Sequence, residues 1–186
     1  MDALPTVRSD KTTDILIRYE RRTISMKTTM LLLILIMNCS NMLIAQSDDI
    51  LVGPISMQDL LDLPGWLSED FLTYQPNREY MEGIPQHMHD IEIICVLGTW
   101  CSDSKREVPR MLRILQIGNI EPEKMRLIGV DRQKNSPDGA NVTYNIERVP
   151  TFIFLRDGVE IGRIVEEALA SLEKDMLGII IRVQEE

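Results

Sequence analysis

The chain has 186 residues, 44% of them hydrophobic and 26% charged, with a formal net charge of −9. That is enough for one globular domain plus a targeting segment, and such acidity argues against nucleic acid or an anionic membrane surface as a partner, since both call for a basic patch. Only three cysteines occur, which excludes a disulfide scaffold.

Residues 1–25 are polar, carry no periodic apolar face and contain RYERR shortly before Met26. They read as a non-native leader upstream of the true start, the alternative being a long basic extension of the segment after them. Residues 26–46 read as a secretory signal peptide. Lys27 supplies the positive end, residues 30–37 the apolar stretch, and Ala45-Gln46 before Ser47 a cleavage region. Eight apolar residues broken by Asn38 are too few to span a bilayer, so no stable membrane span is expected after processing. Asn38 stands before Cys39 where a lipidation site would have a small residue. From Ser47 onward there are 14 Lys and Arg against 25 Asp and Glu, a formal charge of −11. This part is expected outside the cytoplasm, in an oxidising, periplasmic setting.

Residues 47–89 read as a helical N-terminal extension. The stretch ISMQDLLDL places apolar residues at helical spacing and stops at Pro64-Gly65. WLSEDFLTYQ and NREYMEGI continue in the same manner until Pro85. His87 and His89 are the only histidines. A metal site would need further ligands converging on them, and the reading is a solvated loop with no metal.

Residues 90–186 form the main domain. IEIICVL (91–97) is a short apolar run of the kind that makes a buried strand. Residues 104–118 follow as a helix with Val108, Met111, Leu112, Leu115 and Ile117 on one side. KMRLIGVD (124–131) is a second strand, and RQKNSPDGANVT a polar loop turning at Pro137-Asp138-Gly139. TFIFL and VEIGRIV are strands joined through Asp157-Gly158, a strong hairpin signal. ALASLEKDMLGIIIRVQ (168–184) closes the chain as an amphipathic helix. The order predicts an α/β fold in which a central mixed sheet, parallel across the crossover and antiparallel at the final hairpin, is flanked by helices.

The chemistry concentrates at VLGTWCSDSKREVPRM (96–111). Cys101 lies between a strand end and a helix start, where unpaired helix N–H groups and the helix dipole favour an anion, and Lys105 and Arg106 add positive charge in the first turns. A thiolate is the nucleophile of disulfide exchange, so this location suits attack on a disulfide or capture of a thiol. The polar turn Gly98-Thr99-Trp100 and Ser102-Asp103 around it argues against a buried structural cysteine. Three residues on, where a dithiol motif has its second cysteine, stands Ser104.

At these residues the chain resembles the thioredoxin family, over most of residues 90–183. Trp100-Cys101 stands at the end of the first core strand as the family's Trp-Cys does. Pro109 lies where the family has a kinking proline, and Val149-Pro150-Thr151 before FIFLRDG looks like its cis-proline segment. The stretches GTWCSDSKREVPR, ERVPTFIF and DGVEIGRIVE are similar to a secreted bacterial thioredoxin-like branch. The resemblance implies that Val149, Pro150 and Thr151 face the nucleophile, that the backbone before the proline pairs with an extended substrate chain, and that no cofactor is needed. Three departures go together. Ser104 replaces the resolving cysteine, Cys95 stands at the position of the family's buried acid, and Leu127 stands at that of its lysine partner. Without a second thiol to deprotonate, a buried charge has no use and only a desolvation penalty.

Three functional readings stay open at this level. One is a monothiol oxidoreductase, in which Cys101 forms mixed disulfides with protein or small-thiol partners. There Ser104 can offer the thiolate a hydrogen bond, Trp100, Val149 and Pro150 shape the groove, and an external thiol performs the release. Another is a redox-inactive binding module for an extended peptide or partner protein. In the third, Cys95 acts as an unusual resolving thiol, against the plainer view that it is a core residue of a central strand.

Overall fold

Six of the seven residues IEIICVL are apolar, exposed Glu92 being the exception, and they form the central strand β2, Ile91–Leu97. In the computed structural model, which describes Met30, residues 50–66 and residues 69–182, β2 pairs on both sides. It runs parallel to β3, Met125–Gly129, and antiparallel to β4, Thr151–Arg156. A strand covered on both faces has no need of alternating polarity. The expected leader (1–25) and, apart from Met30, the signal segment (26–46) lie outside the described residues. The chain divides into two compact units, residues 1–47 and 48–186, and the sheet with its surrounding helices belongs to the second.

The hairpin partner of β4 is β5, Val159–Val165. Asp157 and Gly158 both take positive φ, 52° and 78°, which gives a tight turn the twist that antiparallel strands require. At the other edge, β1, Gly53–Ile55, pairs antiparallel with β3. The sheet order is therefore β1-β3-β2-β4-β5, a mixed sheet in a thioredoxin-like α/β fold. The sequence reading expects only helices before residue 88, and β1 is an addition to it. Three residues carry too little period-2 pattern to announce a strand. What fixes them is the partner edge: at Gly129, opposite Gly53, a side chain would run into the Leu51 carbonyl.

Around the sheet lie α1, Met57–Asp62, α2, Glu69–Thr73, and α3, Arg78–Met81. They are followed by α4, Ser102–Ile117, α5, Ala140–Thr143, and α6, Leu172–Ile181. Several of the starts have a local cause. Ser56 and Asp59 form a reciprocal capping box at α1, and Asn77 caps α3. Ser171 accepts the Lys174 N–H at α6, so residues 168–170, expected in the helix, lie outside it. The short α5 interrupts what reads as a plain polar loop.

Alternation along β2 sends side chains to two apolar layers. Ile91, Ile93, Cys95 and Leu97 join one, with Val108, Met111, Leu112 and Leu115 of α4 and Met176, Ile179 and Ile180 of α6. Ile94 and Val96 join the other, with Ile128, Val130, Ala140, Val149 and Ile153. The N-terminal helices belong to the first layer through Leu60, Trp66, Met81, Ile84 and Met88, all buried. A polar clamp reinforces the attachment: buried Glu173 of α6 accepts the Tyr74 hydroxyl at 2.7 Å and the Asn77 N–H at 2.9 Å. Burial alone would push the Glu173 carboxyl up, but these hydrogen bonds outweigh it and hold it below the usual carboxylate range. Among the described residues no helix is long and apolar enough to cross a membrane.

Candidate active site

The site is built on the turn between β2 and α4. The Cys101 N–H donates to the Gly98 carbonyl at 2.9 Å, and the Gly98 N–H donates to Ser104 Oγ at 3.2 Å. Together these bonds fold residues 98–104 into a compact corner. Cys101 occupies the N-cap position of α4 with extended backbone (φ −87°, ψ 128°), and its side chain makes no capping hydrogen bond to the helix. It is half-buried, and its Sγ donates to the Val149 carbonyl at 3.3 Å. Thus the β2–α4 turn and the segment before β4, 48 residues apart, meet at the sulfur.

Val149, Pro150 and Thr151 are all buried, and the Val149–Pro150 peptide bond is cis. Thr151 Oγ1 donates to the Arg148 carbonyl at 2.6 Å, and the Pro150 carbonyl accepts the Glu166 N–H at 2.7 Å. The proline's own carbonyl is thereby committed to the sheet edge.

Trp100 is pinned by its own ring. Indole Nε1–H donates to the Val130 carbonyl at 3.0 Å. One face of the indole carries the Arg132 guanidinium 5.5 Å from the ring centroid, a cation–π geometry. The indole also lies over Gly98, where a Cβ would stand 2.7 Å from Cε2. Glycine is required there for the close approach. Buried Thr99 accepts the Leu51 N–H at 3.2 Å and so ties the segment before β1 to the same turn.

Two candidate residues have partners that the sequence does not announce. Ser104 is fully buried, and its hydroxyl accepts from Gly98, so it braces the turn that carries Cys101. Arg106, expected to lend positive charge to the helix start, is held by Asp103 at 2.9 Å, Glu107 at 2.6 Å and Glu167 at 3.7 Å. These carboxylates offset its charge. Buried Glu107 is shared with Arg110 at 3.2 Å, whose guanidinium lies over Tyr74. Lys105 forms no ion pair with the described residues and is half-exposed.

Cys95 lies away from this site. It is fully buried, in register with Leu127 on one side and Phe152 on the other. Burial pushes its thiol far above the ordinary range. It belongs to the layer under α4 and α6, whereas Cys101 packs against the other layer. Cys95 and Leu127, the two positions that the resemblance matches to an acid and a lysine, are thus direct neighbours on adjoining strands in an apolar core. Among the described residues no three His, Cys, Asp or Glu groups come together as metal ligands. His87 ends a short 3-10 turn, and His89 is exposed beside Asp90.

Val130, Arg132 and the acidic pair Glu166-Glu167 are neighbours of the site that the sequence does not announce. Each reaches it through a contact distant in sequence or through a backbone carbonyl, which no side-chain pattern signals.

No protein-family model matches the chain, and no curated protein does. Several solved structures are similar to it. One is a thioredoxin of Fasciola hepatica, at 20% identity, with 53% of this chain and 86% of that chain covered and a TM-score of 0.37. Another is mitochondrial thioredoxin 3 of Saccharomyces cerevisiae in its oxidised form, at 28% identity, with 47% and 74% covered and a TM-score of 0.32. A protein of unknown function from Pseudomonas aeruginosa is 12% identical, with 69% and 99% covered and a TM-score of 0.40. At these TM-scores the likenesses carry nothing about activity. The thioredoxin-like fold rests on the strand order and pairing of this chain.

Proposed function

We propose that the chain is an extracytoplasmic thiol oxidoreductase of thioredoxin-like fold that works through a single nucleophilic sulfur, Cys101. The observation that carries the reading is the placement of that sulfur. It caps a 16-residue helix and touches the Val149 carbonyl, while the other described cysteine is sealed in the opposite layer. In the reaction the Cys101 thiolate, its proton passed to water, attacks one sulfur of a disulfide. The Cys101–partner bond forms, the partner's own disulfide breaks, and the second sulfur leaves as a thiolate. Release repeats the exchange with an external thiol, because the Ser104 hydroxyl cannot attack a disulfide. Trp100 and Val149 bound the approach to the sulfur. The signal-peptide pattern of residues 26–46 supports export and a periplasmic location.

Arg106 favours a second reading, a binding module in which Cys101 at most tethers a partner. Its carboxylate partners withhold one of the cations that would stabilise a thiolate at the helix start. A trapping experiment decides between the two. Cells exporting the full chain are quenched with acid and alkylated, and disulfide-linked partners are separated by electrophoresis. Adducts mapped to the Cys101 peptide, lost in Cys101→Ser and kept in Cys95→Ser, are expected. Absence of any Cys101 adduct, in cells and with purified small disulfides, would overturn the oxidoreductase reading and leave the binding module. N-terminal sequencing of the exported protein should give a start near Ser47.

A further inference from the structure

The chain leaves β5 through a turn that is unusual for its residue type. Glu166 has φ 61°, a left-handed conformation uncommon for a residue with a side chain. Across it the Glu167 N–H donates to the Val165 carbonyl at 2.8 Å, which closes a three-residue turn. Such a conformation persists where its surroundings over-determine it, and it is concentrated at functional sites. Here the surroundings are the two segments that meet at Cys101, the start of α4 and the stretch before β4. The Glu166 N–H holds the Pro150 carbonyl at 2.7 Å, and the Glu166 carboxylate pairs with Arg148 at 2.8 Å, one residue before Val149. The next carboxylate, that of Glu167, reaches Arg106 at 3.7 Å on α4. Consecutive acids therefore meet one arginine on each of these segments, and the same segments are joined by the Cys101–Val149 contact. Glu167 keeps 76% of its side chain exposed, so part of its charge faces an incoming molecule.

We infer that Glu166 and Glu167 are specificity-determining residues that turn anionic partners away from Cys101, so that its disulfide or thiol partner is uncharged or cationic around the reacting sulfur. Without them Arg148 would lose its carboxylate partner and Arg106, still met by Asp103 and Glu107, its exposed one, so the surface beside Cys101 would be less repulsive to carboxylate-bearing small thiols. With them both arginines are neutralised, and the rim is acidic. Lys105 and Arg132 are further cations near the turn. They are the same in wild type and variant, so their effect cancels from the ratio of the two rates. The inference rests on Cys101 being the attacking sulfur.

The test compares three disulfides of different charge: cystamine, a dication; 2-hydroxyethyl disulfide, uncharged; and 5,5′-dithiobis(2-nitrobenzoate), a dianion. In each case the Cys101 thiolate attacks one probe sulfur, the probe's S–S bond breaks, and the other half leaves as a thiolate. The rate is read from the mass of the Cys101 peptide, in the full chain, for wild type and for the Glu166→Gln/Glu167→Gln variant. Taking the variant-to-wild-type ratio for each probe removes differences in probe chemistry. At low salt the dianion should react about threefold faster or more in the variant, the dication slower by a similar factor, and the uncharged probe at a nearly unchanged rate. The differences should shrink toward unity at about 1 M salt, where charges are screened beyond about 3 Å. Glu167→Gln alone, at an exposed position that folding tolerates, should show the same ordering at about half the effect on a logarithmic scale, and Glu167→Asp should restore wild-type rates. An equal change for all three probes, or none for the dianion, overturns the inference. Failure of every probe to label Cys101 in the wild type would instead sink the proposed function.

Discussion

Replacing Cys95 by serine separates a core residue from a hidden catalytic one. The side chain is fully buried in β2, in register with Leu127 and Phe152, in a layer made of apolar residues from α4 and α6. Neighbouring strands take up the backbone groups of β2, so a serine hydroxyl there has no ready acceptor. Burying an unpaired hydroxyl costs about 1–3 kcal/mol on protein mutational scales. For a folded unit of this size each kcal/mol lowers Tm by roughly 3–5 °C, intermediate between the shifts typical of smaller and larger domains. Cys95→Ser should therefore melt about 3–15 °C below the wild type by circular dichroism, the range following from those two factors. Below its Tm it should form the Cys101 mixed disulfide at the wild-type rate. Cys95→Ala, which buries no polar atom, should also label normally, with its loss of stability coming from the small cavity it leaves. An unchanged Tm in Cys95→Ser, together with loss of turnover that the wild type sustains without added thiol, would refute this placement. Cys95 would then reach Cys101, and the separation of the two sulfurs between layers would be wrong.

Gly98→Ala should displace the Trp100 indole from the Val130 carbonyl, because the added Cβ would stand 2.7 Å from the ring. A destabilisation of about 1–3 kcal/mol is expected, together with a changed tryptophan emission and a changed Cys101 labelling rate; unchanged emission would count against the packing described. Glu173→Gln should weaken the attachment of the N-terminal helices in a pH-dependent way. The folded-state carboxyl is held below its ordinary value, so its contribution is present above the unfolded value of about 4.3 and is lost as pH falls through the lower folded value. The Tm difference between wild type and variant should accordingly be full near neutrality and fade in acid, and a difference that grows as pH falls would contradict the sign. Ser104→Cys should allow an intramolecular disulfide with Cys101, detected by loss of both free thiols. Its insulin-reduction turnover should stay low, since Cys95 and Leu127 offer no group to relay a proton; rapid turnover would show that no such relay is required.

Along residues 90–182 the sequence by itself determined most of the elements. The apolar run 91–97, interrupted only by Glu92, the helical spacing after Cys101 and the Asp157-Gly158 turn are local patterns, and each reappears as an element of the fold. The order of those elements also implies a parallel pair across the crossover and an antiparallel hairpin, as observed. Cys101 at the strand-to-helix junction is legible for the same reason, since a boundary between two periodicities is a local event. Other features depend on what lies across the molecule. The strand Gly53–Ile55 exists because β3 offers an open edge. Glu107 and Glu173, though charged, are buried because Arg106, Arg110, Tyr74 and Asn77 meet them there. The basic stretch after Cys101 reads as a cationic helix start, yet Arg106 is met by Asp103 and Glu107 on its own helix and by Glu167 from 61 positions further along the chain. Side-chain type and spacing record which face a residue prefers. Which partner occupies that face, and whether a charge there is free or neutralised, follows only when the sheet closes and brings distant segments within a few ångströms.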